Sequence, residues 1–152
     1  MKQTRILFVL LGILFLTGCG KIRTEGSVAP EDPNIPICSI TVTCDSALDY
    51  EDLDIELPES GMIATCEDVP FEKGDTALSV LMDCLRKAEM SFEADSGYVT
   101  GIENLYAGDC GEESGWMYRV NNTAPSVGAD QYVLSDGDAV EWYYICSYDE
   151  MM

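Results

Sequence analysis

Cys38-Ser39-Ile40-Thr41-Val42-Thr43-Cys44 alternates strictly between apolar and hydroxyl side chains. Cys38, Ile40, Val42 and Cys44 fall on one side and Ser39, Thr41 and Thr43 on the other, which is the period of a strand with one buried face. Towards the C-terminus, 45–58 is acidic and irregular and reads as a loop, and 62–71 reads as a second strand broken near Pro70. Lys73-Gly74-Asp75 is a turn leading into a helix over 76–90. There Leu78, Leu81, Leu85 and Ala88 share one stripe, and Asp75 or Thr76 can cap the first turn. Arg86 and Lys87 sit near the negative end of that helix's dipole.

Beyond the helix, 97–101 and 102–105 are short pieces set off by glycine. Trp116-Met117-Tyr118-Arg119-Val120 alternates again, and Asn121-Asn122 suits a tight turn with positive φ. Asn121-Asn122-Thr123 also spells a glycosylation sequon, which turn chemistry explains without sugar. Leu134-Ser135-Asp136-Gly137-Asp138 turns into a last strand over 139–146, with Val140, Trp142 and Tyr144 on one face and Glu141 and Tyr143 on the other. This order predicts an α+β domain, a mixed sheet packed by one face on one α-helix. Trp116, Tyr118, Trp142 and Tyr144 are expected to form its core against that helix.

Towards the N-terminus, 20–37 holds Pro30, Pro33 and Pro36 and shows neither helical nor strand period. It reads as a tether that reaches on the order of 60 Å when fully extended. Ahead of it, Lys2 and Arg5 precede an apolar run over 6–16, too short for a bilayer span but suited to a secretory signal. Leu16-Thr17-Gly18-Cys19 resembles a bacterial lipobox, so Cys19 is expected to carry a lipid. The expected organisation is a lipoprotein signal peptide at 1–18, a lipid-anchored flexible tether at 19–37, a domain at 38–146 and a tail at 147–152. The expected location is the extracellular face of the bacterial cell membrane.

The chain of 152 residues carries 28 Asp+Glu against 8 Lys+Arg, a net charge of −20. Loss of Lys2 and Arg5 with the signal would leave 6 − 28 = −22. Such a balance excludes nucleic acid as a partner, because phosphate binding needs clustered basic side chains. The chain has no histidine, which removes Ser-His-Asp and Cys-His catalysis and histidine-ligated metal. No enzyme activity, cofactor or metal site is expected.

Several stretches in order are similar to the transcobalamin-like C-terminal domain family of bacterial surface lipoproteins. They are Ser39 to Cys44 with Asp45-Ser46-Ala47-Leu48, then Lys73-Gly74-Asp75-Thr76-Ala77-Leu78, then Tyr98-Val99-Thr100-Gly101-Ile102-Glu103-Asn104-Leu105-Tyr106, then Ser114-Gly115-Trp116-Met117-Tyr118-Arg119-Val120-Asn121. Val127-Gly128-Ala129-Asp130-Gln131-Tyr132 and Asp136-Gly137-Asp138-Ala139-Val140-Glu141-Trp142 complete the pattern. The resemblance implies a β-grasp-like fold. In the vitamin B12 carriers of this family a corrinoid is clamped between a helical domain and this β-domain, and no helical half is readable in this chain. Relatives often have a cysteine where Ala129 stands, whereas this chain has Cys66.

With Cys19 acylated, Cys38, Cys44, Cys66, Cys84, Cys110 and Cys146 remain, an even number that allows up to three disulfides outside the cytosol. The acidic run Asp45, Asp49, Glu51, Asp52, Asp54 and Glu56 lacks the calcium-loop spacing and its central glycine, and reads as a solvated surface. Tyr98, Tyr106, Tyr132 and Tyr143 are the ligand-binding candidates, able to stack on a flat molecule or a partner. The loops at 106–115 and 126–132 flank the Trp116 strand, where loops on a rigid sheet carry binding.

The expected function is binding or capture of a small molecule, a corrinoid-like one being what the resemblance implies, with an uptake-system protein as a further partner. The alternative is a protein–protein interaction or adhesion module on the cell surface. A concave aromatic pocket between the Trp116 strand and the 127–134 loop favours capture, and a flat exposed aromatic patch favours adhesion.

Overall fold

The alternating stretch becomes strand β1 (Ile37–Thr43), whose Cys38, Ile40 and Val42 are buried. The computed structural model describes residues 34–151, so the signal, Cys19 and most of the tether lie outside the described residues. β1 runs antiparallel to β2 (Met62–Pro70) and parallel to β7 (Ala139–Ile145), which runs antiparallel to β6 (Gly115–Val120). The order is β2-β1-β7-β6, a mixed sheet with the first and last strands side by side at its centre. Three short strands, β3 (Phe92–Asp95), β4 (Tyr98–Ile102) and β5 (Leu105–Tyr106), form a second antiparallel sheet. The domain is α+β, as expected, although this second sheet was visible in the sequence only as fragments.

The main helix, α2 (Ala77–Lys87), is shorter than the 76–90 expected. Thr76 caps it by accepting from the Ser79 N–H at 3.2 Å, while the Thr76 N–H donates to Ser79 Oγ at 2.9 Å. Two residues past its last turn, Glu89 takes a positive φ of 57° and ends the helical path. The buried stripe is Ala77, Val80, Leu81, Cys84 and Leu85, while Leu78 is half-buried and Ala88 exposed. The expected stripe was therefore rotated, because it followed the leucines and left Val80 and Cys84 out of the apolar count. Cys84 is bridged to Cys66 of β2, which pins the helix against that side of the sheet.

Of the up to three bridges expected, one forms among the described residues. Cys38 and Cys44 are buried thiols at opposite ends of β1, some 20 Å of strand apart, so neither can reach the other. Cys110 is buried, and the Cys146 thiol lies 3.3 Å from the Ser46 carbonyl. The 45–58 segment is also more ordered than a loop. It opens with the short helix α1 (Asp45–Leu48) and then alternates half-buried Leu53, Ile55 and Leu57 with exposed Asp52, Asp54 and Glu56. Its acids therefore face solvent because its apolar residues face the core.

Candidate ligand-binding site

The register of β6 on β7 sets Trp116 opposite Tyr144, Tyr118 opposite Trp142 and Val120 opposite Val140. Directly opposed side chains on one face are close enough to pack as rungs. Tyr118 and Trp142 stack with centroids 5.4 Å apart, and Trp116 meets Tyr144 edge-on at 5.3 Å. Trp116, Trp142 and Tyr144 are buried and Tyr118 half-buried, as core residues should be. What covers them corrects the expectation of a helix alone. Trp116 Nε1 donates to the Leu105 carbonyl of β5 at 3.0 Å, and the Tyr144 hydroxyl donates to the Tyr106 carbonyl at 2.6 Å. The Tyr118 hydroxyl donates to the Val127 carbonyl at 2.7 Å and so holds the 124–129 segment over the sheet.

Bulky rings under a covering of short loops leave a cavity of about 310 Å³. Its wall combines Trp116, Met117, Tyr118 and Trp142 of the sheet with the 124–129 segment and with Gly97, Tyr98 and Val99 from the second sheet. That volume lies at the lower end for small-molecule sites, and the wall has the apolar, aromatic character such sites share. No side chain in the wall is ionisable in the physiological range. Burial first, then Tyr132 and Asp130, pushes the Tyr118 phenol above its ordinary value, so it stays a neutral donor. Trp142 Nε1 has no hydrogen-bond partner, although it is buried.

The rim is fixed by a close approach of backbone to carboxylate. Ser96 and Gly97, with φ of 51° and 88°, make the two-residue turn between β3 and β4. A Cβ on Gly97 would stand 2.6 Å from the Asp130 carboxylate, and one on Gly128 equally close. Glycine at both positions lets Asp130 seat between the turn and the 124–129 segment.

The four candidate tyrosines do not form one surface. Tyr98 lines the cavity and is 71% exposed at its rim. Tyr132 packs edge-on behind Tyr118 at 6.4 Å, outside the wall itself. Tyr106 lies over Gly101, with its hydroxyl 3.5 Å from Glu93 Oε1. Tyr143 is on the opposite face of the sheet, beneath the Arg119 guanidinium, which forms a two-pronged pair with Glu141 at 2.8 and 2.6 Å. Of the two expected binding loops, 126–129 lines the cavity, whereas 106–115 buttresses Tyr144 through Ser114, 3.0 Å from the tyrosine hydroxyl. Met117, Ala124 and Pro125 went unnoticed. For Ala124 and Pro125 the signal was the run of small residues Ala124-Pro125-Ser126 beside an aromatic strand.

A second cleft of about 220 Å³ lies between the 55–58 segment and 102–105. It contains Glu56 and Glu103 and lacks the aromatic wall. Among the described residues no group of three or more acidic or cysteine side chains could hold a metal ion.

The family described as Domain of unknown function (DUF4430) matches residues 74–145, from the turn before α2 to the end of β7. This match agrees with the resemblance to the transcobalamin-like C-terminal domain family. No curated protein matches the chain significantly. Among solved structures, a candidate metal binding protein from Ruminococcus gnavus ATCC 29149 aligns at 16% identity and a TM-score of 0.45, over 72% of this chain and 95% of that one. Haptocorrin in complex with Cbi aligns at 18% identity and a TM-score of 0.47, over 81% of this chain. The aligned part spans only 27% of haptocorrin's length.

Proposed function

We propose that this chain is a surface-tethered binding domain that captures a small molecule in the cavity between β6 and the 124–129 segment. The observation that carries the reading is the cavity itself, concave and walled by Trp116, Tyr118 and Trp142, where adhesion would call for a flat patch. Its walls are already positioned by the Tyr118–Val127 hydrogen bond and by Asp130 between Gly97 and Gly128, which lowers the ordering cost of binding. A corrinoid-like ligand, suggested by the resemblance, is larger than this cavity and would seat only a peripheral group in it. The activity assigned here is binding and not catalysis.

The test is mass spectrometry of metabolites that co-purify with the full chain, compared with its Tyr98→Ala form. One small molecule enriched by the first and reduced with the second is the expected result. No enriched molecule, together with capture of a surface protein that survives Tyr98→Ala, would transfer the assignment to adhesion. Tethering is tested separately. Cys19→Ala should release the protein from the membrane fraction, and unchanged detergent partitioning would remove the lipid anchor from this proposal.

A further inference from the structure

Four rings on the inner face of β6 and β7 carry a polar handle, and three of the handles are satisfied within the protein. Trp116 Nε1 reaches Leu105, Tyr118 reaches Val127 and Tyr144 reaches Tyr106. The fourth, Trp142 Nε1, is the one buried side-chain nitrogen or oxygen among the described residues that has no partner. Trp142 is 2% exposed and is one of the residues that line the cavity. A buried donor without an acceptor costs free energy, and an indole can only donate, so it cannot be relieved by accepting from a neighbour.

Resting on the binding reading above, we infer that the Trp142 N–H is the donor that selects the ligand, and that the ligand is a neutral, largely apolar molecule bearing an acceptor such as a carbonyl oxygen. The wall offers no cation to an anionic ligand, and the chain's net charge of −20 repels one. An ammonium ligand has no lone pair for the indole proton. Nε1 is closed to solvent, so the acceptor reaches it through a local shift of the covering wall. The 124–129 segment forms that wall and is held at Val127 by the Tyr118 hydroxyl and at Ala129 by the Leu78 N–H, so the shift is local and leaves both anchors in place.

The chain has two tryptophans, so a ¹⁵N spectrum contains two indole cross-peaks, and that of Trp116 is an internal reference already bonded to Leu105. Trp142→Phe assigns the other by its disappearance. The probes are acetophenone and α-methylstyrene, which has a CH₂ group in place of the carbonyl oxygen and nearly the same shape, with benzoate as the anionic control. Acetophenone should move the Trp142 peak downfield, leave the Trp116 peak in place and bind roughly tenfold tighter than α-methylstyrene. Benzoate should move neither. Equal binding of the two neutral probes with a stationary Trp142 peak would overturn the donor role while leaving the cavity as a binding site. A persistent contact from the Trp142 N–H to one slow water, undisturbed by acetophenone, would overturn it too. Failure of every probe to perturb the residues lining the cavity would instead count against the binding reading itself.

Discussion

Over β1 the inner face of the sheet carries Ile40 and Val42, and α2 lies beside that half with Val80, Leu81, Cys84 and Leu85 buried and Cys84 bridged to β2. Over β6 and β7 the same face carries Trp116, Tyr118, Trp142 and Tyr144, covered by β5 and the 124–129 segment. Branched aliphatic side chains beneath a helix interdigitate and leave no polar atom to satisfy. Rigid rings beneath loops cannot fill every gap, and each brings a donor that needs an acceptor. One half of the core is thus closed by packing and the Cys66–Cys84 bridge. The other ends in a cavity and an unanswered N–H, and a ligand can complete it.

That contrast is open to experiment. Trp142→Ala removes one of the two indoles shared by core and cavity and should cost about 3–5 kcal/mol in urea denaturation. A loss below about 1 kcal/mol would mean that the aromatic half contributes little to the fold. Replacing Cys66 and Cys84 together with serine opens an 18-residue separation and should cost about 3 kcal/mol. Ligand binding should survive it below the new melting point, because the bridge belongs to the helix-covered half. Loss of binding in the still-folded variant would show the two halves to be coupled.

The thiols of that half give a pH test. Burial first, then Asp138 and Asp75, pushes Cys38 up to about 11, and burial first, then Asp45, pushes Cys44 up to about 11. Both folded values lie above the ordinary 9.0, so the folded chain holds these protons more tightly than the unfolded one. Their contribution is complete below about pH 9 and is lost as pH rises through 11. Stability should fall over that window, and Cys38→Ala with Cys44→Ala should flatten the fall. A decline that begins near neutrality would contradict it. The smallest effect on folding is expected from Tyr98→Ala at the exposed rim, within about 0.5 kcal/mol. It should still weaken ligand binding severalfold, and a variant that unfolds would place Tyr98 in the core.

The helix-covered half was the easier one to read from sequence. The period of 38–44, the capping residue Thr76 and the apolar periodicity of the helix are local signals, and they located the strand and the helix to within a few residues. The rotation of the helix was missed because Cys84 was counted as a bridge candidate and not as an apolar side chain. Asn121 and Asn122 were also legible, since their turn demands the positive φ that asparagine tolerates, and both adopt it. The cavity was less so. The alternation of Trp116, Tyr118, Trp142 and Tyr144 marks a buried face but not what covers it. The pairing of β6 with β7, which creates the rungs, joins residues 20 or more positions apart. Tyr106 and Tyr143 looked like Tyr98 in sequence and went to other surfaces, because strand parity and loop path set where each ring ends.

The most direct test is an amide ¹H–¹⁵N map of the full chain with the small molecule it enriches from a metabolite extract. Binding in the aromatic half should perturb Tyr98 and Val99, Met117 and Tyr118, and 126–129, together with the Trp142 indole and the Leu78 amide that donates to Ala129, while the rest of α2 and β2 stay unchanged. Perturbations confined to the cleft between 55–58 and 102–105, or to the Arg119–Tyr143 face, would contradict the assignment of binding to this half of the sheet.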